Sequence, residues 1–144
     1  MTDRTPIETV RAFLAALESL DVDAAVELLA DGAVYQNVPL PPARGRKAVE
    51  RQLRFMVKYA TGFEARLHHI AADGTTVLTE RTDVLVNGSW RSEFWVCGTF
   101  ETRDGKITLW RDYFDWPTFL FASLRGLGGV LRSRLSTPPK PSKA

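Results

Sequence analysis

Three charged residues stand where strands should carry apolar ones. Arg81, Asp83 and Leu85 alternate with Glu80, Thr82 and Val84 in one extended run, and Trp110, Asp112 and Phe114 alternate in another. Side chains two apart on a strand share a face. Arg81 and Asp83 therefore point the same way, and Asp112 sits between two large aromatics. A carboxylate in that setting is costly to bury unless paired, and Arg81 is the partner at hand. Two acids about one guanidinium can divide their labour. One stays ionised, while the other, buried near a like charge, has its pKa raised and keeps a proton near neutral pH. That makes a base and an acid on opposite sides of a small space. The same residues can equally form a structural ion-pair network, and on spacing alone this plainer reading ranks first. Tyr35 and Asn37 share a face of a further short strand, with Val34 and Val38 opposite; alone they read as strand-end polar residues. Asp115 points away from Asp112 by parity and is expected to meet solvent or cap the final helix.

Other chemistry finds less support. His68 and His69 adjoin on a strand, so strict alternation turns them to opposite faces and denies them a common metal. One cysteine, Cys97, rules out an internal disulfide and a cysteine metal cluster. It falls on the opposite face from Phe94 and Val96, and a thiol nucleophile lacks support. The formal charge is +2, unevenly spread: after Pro117 there are five basic residues and no acid, while the preceding residues carry 14 basic and 17 acidic ones. A mildly acidic body with a basic tail does not suggest a nucleic-acid groove. The sequence shows neither a secretory leader pattern nor the ~20 apolar residues of a membrane span, so the expected compartment is the cytoplasm.

The elements that must position these residues are legible in outline. A chain of 144 residues is the size of one domain, expected over residues 1–135. Thr5-Pro6-Ile7-Glu8 reads as a capping box with proline at the first helical position, and Val10, Phe13, Leu14 and Leu17 follow at helical spacing. A second short helix carries Val26, Leu28 and Leu29. Ala33 to Val38 reads as a strand stopped by Pro39, Pro41 and Pro42. Lys47 to Tyr59 reads as a third helix, with Val49, Leu53, Met56 and Val57 on one face. Four strands follow, Phe63–Ala71, Thr76–Val86, Ser89–Glu101 and Lys106–Asp115, divided by Asp73-Gly74, Asn87-Gly88 and Asp104-Gly105, dipeptides that favour tight hairpins. Helices followed by an antiparallel meander predict an α+β fold in which helices pack on one face of a curved sheet, a cone with a cavity inside. The Pro-, Ser- and Lys-rich end, 136–144, is expected to be disordered.

Three segments resemble the limonene-1,2-epoxide hydrolase family, including its mycobacterial members. They are Tyr35-Gln36-Asn37-Val38-Pro39-Leu40-Pro41-Pro42-Ala43 with Gly45-Arg46 and Ala48-Val49-Glu50; Thr79-Glu80-Arg81-Thr82-Asp83-Val84-Leu85; and Gly105-Lys106-Ile107-Thr108 with Trp110-Arg111-Asp112-Tyr113-Phe114-Asp115. Phe94-Trp95-Val96-Cys97-Gly98 agrees with the mycobacterial members. The resemblance implies a cone-shaped mixed sheet with helices on its concave face, the α+β barrel shared with nuclear transport factor 2, the SnoaL-like proteins, cystatin and ketosteroid isomerase. It implies a homodimer through the outer sheet face. It carries the family's Asp-Arg-Asp set onto Asp83, Arg81 and Asp112, and its water-holding pair onto Tyr35 and Asn37.

The activity so implied is one-step addition of water to an apolar epoxide, giving a vicinal diol. Asp112 is the base for a water held by Tyr35 and Asn37, Asp83 the acid, and Arg81 the bridge. Ring strain makes a metal or cofactor unnecessary. The substrate is expected among terpene, lipid or steroid epoxides, in a wall formed from Leu17, Leu53, Met56, Phe94, Val96, Trp110 and Phe114. Two departures from the limonene enzyme, a shorter Leu85–Trp90 turn and a different segment after Asp115, bear on substrate rather than chemistry. The alternatives are a ketosteroid-isomerase-like or polyketide-cyclase-like enzyme, or a hydrophobic-ligand-binding module, on the same fold. The apolar, basic segment after Pro117 is expected to cover the pocket mouth or join a dimer contact in preference to lying on a membrane.

Overall fold

A computed structural model describes residues 4–136; of the end expected to be disordered, Ser136 instead caps the last helix, its amide donating to the Arg132 carbonyl at 3.1 Å, and residues 137–144 fall outside the described residues. The elements are α1 (Pro6–Glu18), α2 (Val22–Glu27), β1 (Leu29–Val38), β2 (Ala43–Arg44), α3 (Arg46–Tyr59), β3 (Gly62–Asp73), β4 (Thr76–Asn87), β5 (Trp90–Arg103), β6 (Lys106–Tyr113) and α4 (Trp116–Leu135). The capping box forms: the Glu8 amide donates to Thr5 Oγ1 at 3.2 Å and the Thr5 amide to the Glu8 carboxylate at 2.8 Å. At the β5–β6 hairpin both Asp104 and Gly105 take positive φ, 51° and 70°. That is the backbone an inward-twisting two-residue turn demands.

One six-stranded sheet runs in the order β2-β1-β6-β5-β4-β3. The four later strands form the antiparallel meander. β1 is longer than the sequence suggests and joins β6 in parallel, making the sheet mixed. The two-residue β2, unforeseen, pairs with β1. β6 stops at Tyr113, two residues short of expectation, because Asp115 is the N-cap of α4; its carboxylate accepts from the Thr118 hydroxyl at 2.7 Å.

The helices cover one face of the sheet. Phe13 of α1 packs edge-on against Phe100 and Trp110, and Val10, Leu14 and Leu17 join the same buried core, with Val49 and Leu53 from α3. α4 crosses the far end of β5. The Trp90 indole donates to the Ser123 carbonyl at 3.1 Å, and Phe119 meets Phe94 edge to face. Between this crossing and the α1 core, the inner faces of β4, β5 and β6 are left to line a cavity.

Candidate active site

β4 lies between β3 and β5, so its inward side chains are covered from both sides. In the β4–β5 register Thr79 faces Gly98, Arg81 faces Val96 and Asp83 faces Phe94. The β5–β6 register then sets Gly98 opposite Asp112. A glycine between Thr79 and Asp112 leaves a gap in the inner face, and the Arg81 side chain runs through it.

Arg81 is 1% exposed and gives its guanidinium to three side chains. Nε and Nη2 donate to the two oxygens of Asp83 at 2.7 and 3.1 Å; Nη2 also donates to Asp112 Oδ2 at 2.7 Å; Nη1 reaches Thr79 Oγ1 at 3.2 Å. The three residues singled out by strand parity thus form one buried cluster. Asp112 Oδ1 accepts nothing from the described residues, and neither does the Trp110 indole N–H donate to them. One oxygen of Asp112 is therefore anchored and the other is free for chemistry.

β1 supplies the second pair. Its parallel register places Asn37 beside Asp112 and Tyr35 beside Trp110. The Tyr35 ring stacks on Trp110 with centroids 3.8 Å apart, and Asn37 Nδ2 donates to the Tyr35 hydroxyl at 2.8 Å. With its NH₂ so engaged, the Asn37 carbonyl oxygen and the Tyr35 O–H are left as acceptor and donor next to Asp112.

Electrostatics follow from burial. Desolvation raises the pKa of Asp83; Arg81 opposes this, and the charges of Asp112 and Glu18 reinforce it. Desolvation likewise raises Asp112, against Arg81 and, more weakly, the nearby Trp110 indole, whose N–H makes no hydrogen bond to the carboxylate within normal reach. Burial works against the Arg81 charge, but the two carboxylates outweigh it and hold the guanidinium protonated. Burial, then the charge of Asp112, push the Tyr35 phenol above its ordinary range, so it keeps its proton. Two carboxylates and one guanidinium leave the cluster with an excess negative charge unless one acid is protonated. Burying that excess is costly, so the pair favours holding one proton. The repulsion between the two acids is mutual, so the proton belongs to the pair and both carboxyls are raised.

The cavity has a volume of about 210 Å³. Tyr35, Asn37, Asp83 and Asp112 open into it, and so do six of the seven expected wall residues, Leu17, Met56, Phe94, Val96, Trp110 and Phe114. Leu53 does not line it; it is buried in the core and borders an adjoining depression. Arg81 lies behind the acids rather than on the wall. Phe63, Leu85, Trp116 and Phe119 complete the lining.

Sequence reading misses Thr79 and Gly98. Thr79 shares the face of Arg81, and a glycine inside a strand signals close approach of other groups; both signals were available. A Cβ on Gly98 would stand 2.5 Å from Arg81 Nη1, 2.7 Å from Thr79 Oγ1 and 3.0 Å from Asp112 Oδ1. Gly98→Ala is accordingly expected to displace the acid pair and lower kcat by about 10²-fold, the effect of a misplacement near 1 Å. Steady-state kinetics beside circular dichroism check this; wild-type kcat would refute the close packing.

The histidines depart from the expected alternation. A bulge between Leu67 and His69 inserts a residue into β3, so alternation fails there. His68 contacts the Thr82 hydroxyl at 2.8 Å and His69 is in register with Glu80, which puts both on the outer face. They do not face opposite ways. Among the described residues no group of three His, Cys, Asp or Glu is placed to hold a metal. Cys97 is half-buried.

The chain is similar to known proteins over most of its length. The family model for the limonene-1,2-epoxide hydrolase catalytic domain matches residues 4–125. Epoxide hydrolase EphG of Mycobacterium tuberculosis (strain ATCC 25618 / H37Rv) is 50% identical over 118 residues, 82% of this chain and 78% of that protein. The solved structure of an M. tuberculosis LEH-like epoxide hydrolase superposes with a TM-score of 0.82 at 47% identity, over 89% of this chain and 96% of that one. An NTF2-like protein from Cytophaga hutchinsonii ATCC 33406 shares the fold alone, with a TM-score of 0.69 at 23% identity, over 84% and 99% of the two chains. The α+β fold is thus the NTF2-like one. Its cavity combines a free carboxylate oxygen, a second acid on the same guanidinium and a donor–acceptor pair beside them.

Proposed function

The chain belongs to the limonene-1,2-epoxide hydrolase family, and from that premise we propose that it adds water to an apolar epoxide in one step, without a cofactor, to give a vicinal diol. The observation that carries this reading is the asymmetry of Asp112, a residue in register with Asn37: Oδ2 is held by Arg81 at 2.7 Å, while Oδ1 is buried with no hydrogen-bond partner among the described residues.

In the proposed step a water accepts a hydrogen bond from the Tyr35 hydroxyl and donates to the Asn37 carbonyl and to Asp112 Oδ1. Its oxygen attacks an epoxide carbon as Asp112 takes its proton. The carbon–oxygen bond breaks, and Asp83 gives its proton to the departing ring oxygen. Asp112 ends protonated and Asp83 ionised, and return of one proton from the first to the second resets the site. Arg81 touches both acids throughout, so the charge it compensates shifts between two of its own partners. Positioned acid and base groups each contribute about 10²–10⁴-fold. Apolar walls on every other side favour a terpene, lipid or steroid-type epoxide over a polar one. The exposed Leu78, Trp95 and Tyr113 lie on the outer sheet face and support pairing of two chains there. A cytoplasmic location completes the proposal.

A single turnover with excess enzyme in H₂¹⁸O tests the one-step route. The label is expected in the diol from the first turnover, with none in the protein. Label in an aspartate would replace direct attack by an ester intermediate.

A further inference from the structure

The last helix has two apolar faces and the fold uses one. Trp116 and Phe119 line the cavity. Further along the same side, Leu127, Val130 and Arg134 meet Phe55, Met56 and Tyr59 of α3 across a groove of about 720 Å³. The cavity and this groove share Met56 and Leu85 as wall residues. The other side carries Leu120, Phe121, Leu124, Leu131 and Leu135, all exposed, with Leu127 at the edge between the two; Leu124 and Leu131 are 61% and 62% accessible. Apolar side chains at spacings of three and four form a continuous stripe along a helix.

Three observations say what covers this stripe. α4 contains Arg125, Arg132 and Arg134 and neither Asp nor Glu. At 100° per residue Arg125 and Arg132 fall together along one border of the stripe and Arg134 at the other. Lys58, over the Tyr59 ring, adds a cation on the neighbouring α3. A second copy of α4 laid on the stripe would bring like charges together with no acid on either helix to answer them. The helix is not apolar enough to cross a bilayer. Finally, Gly128 and Gly129 sit in open space where a side chain would meet nothing, so packing does not require them. They weaken this half of the helix in water, and a surface that receives its apolar stripe would restore it. An apolar stripe bordered by arginines is the pattern of a helix lying in an anionic lipid interface.

We propose that the exposed face of α4 docks on an anionic membrane surface, with the α3–α4 groove opening toward the lipid. That the groove then conducts an apolar epoxide to the acid pair rests on the function proposed above; the docking does not. The matched family model ends at residue 125, so most of the stripe's second half is additional to it.

Sedimentation of the full chain with vesicles measures docking without turnover. Binding is expected to roughly 70:30 phosphatidylcholine–phosphatidylglycerol vesicles, to be weaker on phosphatidylcholine alone, and to decline as salt rises toward about 0.5 M. Leu124→Glu and Leu131→Glu should each reduce partitioning roughly tenfold or more. Arg125→Gln with Arg132→Gln should reduce it roughly fivefold per site on anionic vesicles only. All of these variants should keep wild-type circular dichroism and turn over a water-soluble epoxide at the wild-type rate. No binding, or equal binding to neutral vesicles, would overturn the proposal. So would self-association in sedimentation velocity that the leucine variants abolish, because a second copy would then occupy the stripe. If vesicle binding is as expected but no epoxide is hydrolysed, the docking stands and the proposed chemistry fails.

Discussion

Asp112→Asn abolishes diol formation while leaving the fold intact; that is the expected result with the largest effect on activity. The direct loss is that of the proposed base, worth about 10²–10⁴-fold. A second loss follows from electrostatics. The charge of Asp112 is one of the influences that raise Asp83. With asparagine in its place, Asp83 faces Arg81 through two hydrogen bonds, at 2.7 and 3.1 Å, without that repulsion. Its pKa falls, it ionises, and the acid disappears with the base. Adding Asp83→Asn to the first substitution should then cost little more, since residues acting as one unit are strongly non-additive. Stability should hold, because one carboxylate still balances the guanidinium. The check is diol formation from terpene, styrene-type, fatty-acid and steroid epoxides, with thermal unfolding alongside. Activity within tenfold of wild type, or a double variant whose loss is the product of the two single losses, would separate the acids and undo the coupled mechanism. In the wild type the coupling implies a bell-shaped kcat profile. Its low-pH limb comes from protonation of the base and its high-pH limb from ionisation of the acid. Both midpoints belong to the pair rather than to either residue, and burial places them above the ordinary carboxylate value near 3.9.

What strand alternation could reveal was a set of faces. Arg81, Asp83 and Asp112 stood out because charged residues at inward positions contradict the pattern around them, and the hairpin glycines fixed where each strand began. Alternation says nothing about neighbours across the sheet, which depend on register. Gly98 therefore passed unmarked, although its missing side chain is what lets Arg81 reach Asp112. Parallel pairing of β1 with β6 is equally non-local, and it alone explains why Tyr35 and Asn37 stand beside the acids. The histidines show the converse failure: a one-residue bulge reverses parity, and nothing in His68-His69 announces it. In the last helix, Gly126 looks like a breaker, yet a Cβ there would lie 2.4 Å from the Arg91 carbonyl oxygen. It is the point where helix and strand touch, which composition alone does not show. The family resemblance added the roles of Tyr35 and Asn37, which as isolated strand-end residues carried no signal.

The largest expected effect on stability comes from Arg81→Met. Methionine fills much of the arginine's volume but leaves two buried carboxylates without a cation, and breaking a buried ion pair from one side destabilises by about 3–5 kcal/mol. The pH dependence gives the cause away. In the wild type both acids have folded-state pKa values raised above the unfolded ones. The folded state therefore binds more protons, and the stability this contributes is complete below the unfolded value near 3.9 and is lost as pH rises through the folded values. Arg81 holds each of those values down. Without it they rise further, so the loss should extend to higher pH, and the deficit of Arg81→Met should be small near pH 4 and large near pH 7. Urea unfolding across that range measures it; a deficit independent of pH would assign the effect to packing. A triple variant, Arg81→Met with Asp83→Leu and Asp112→Leu, then separates the two roles open to this cluster. If the network exists to hold the fold, the triple variant should be the least stable of all. If it exists for chemistry, replacing every member by an apolar side chain removes the desolvation penalty together with the charges, and stability should match or exceed the wild type while diol formation is lost. The second outcome is the one expected, because Arg81 satisfies only one oxygen of Asp112 and no described side chain bonds the other, an arrangement that a purely structural network has no need of and that a base requires.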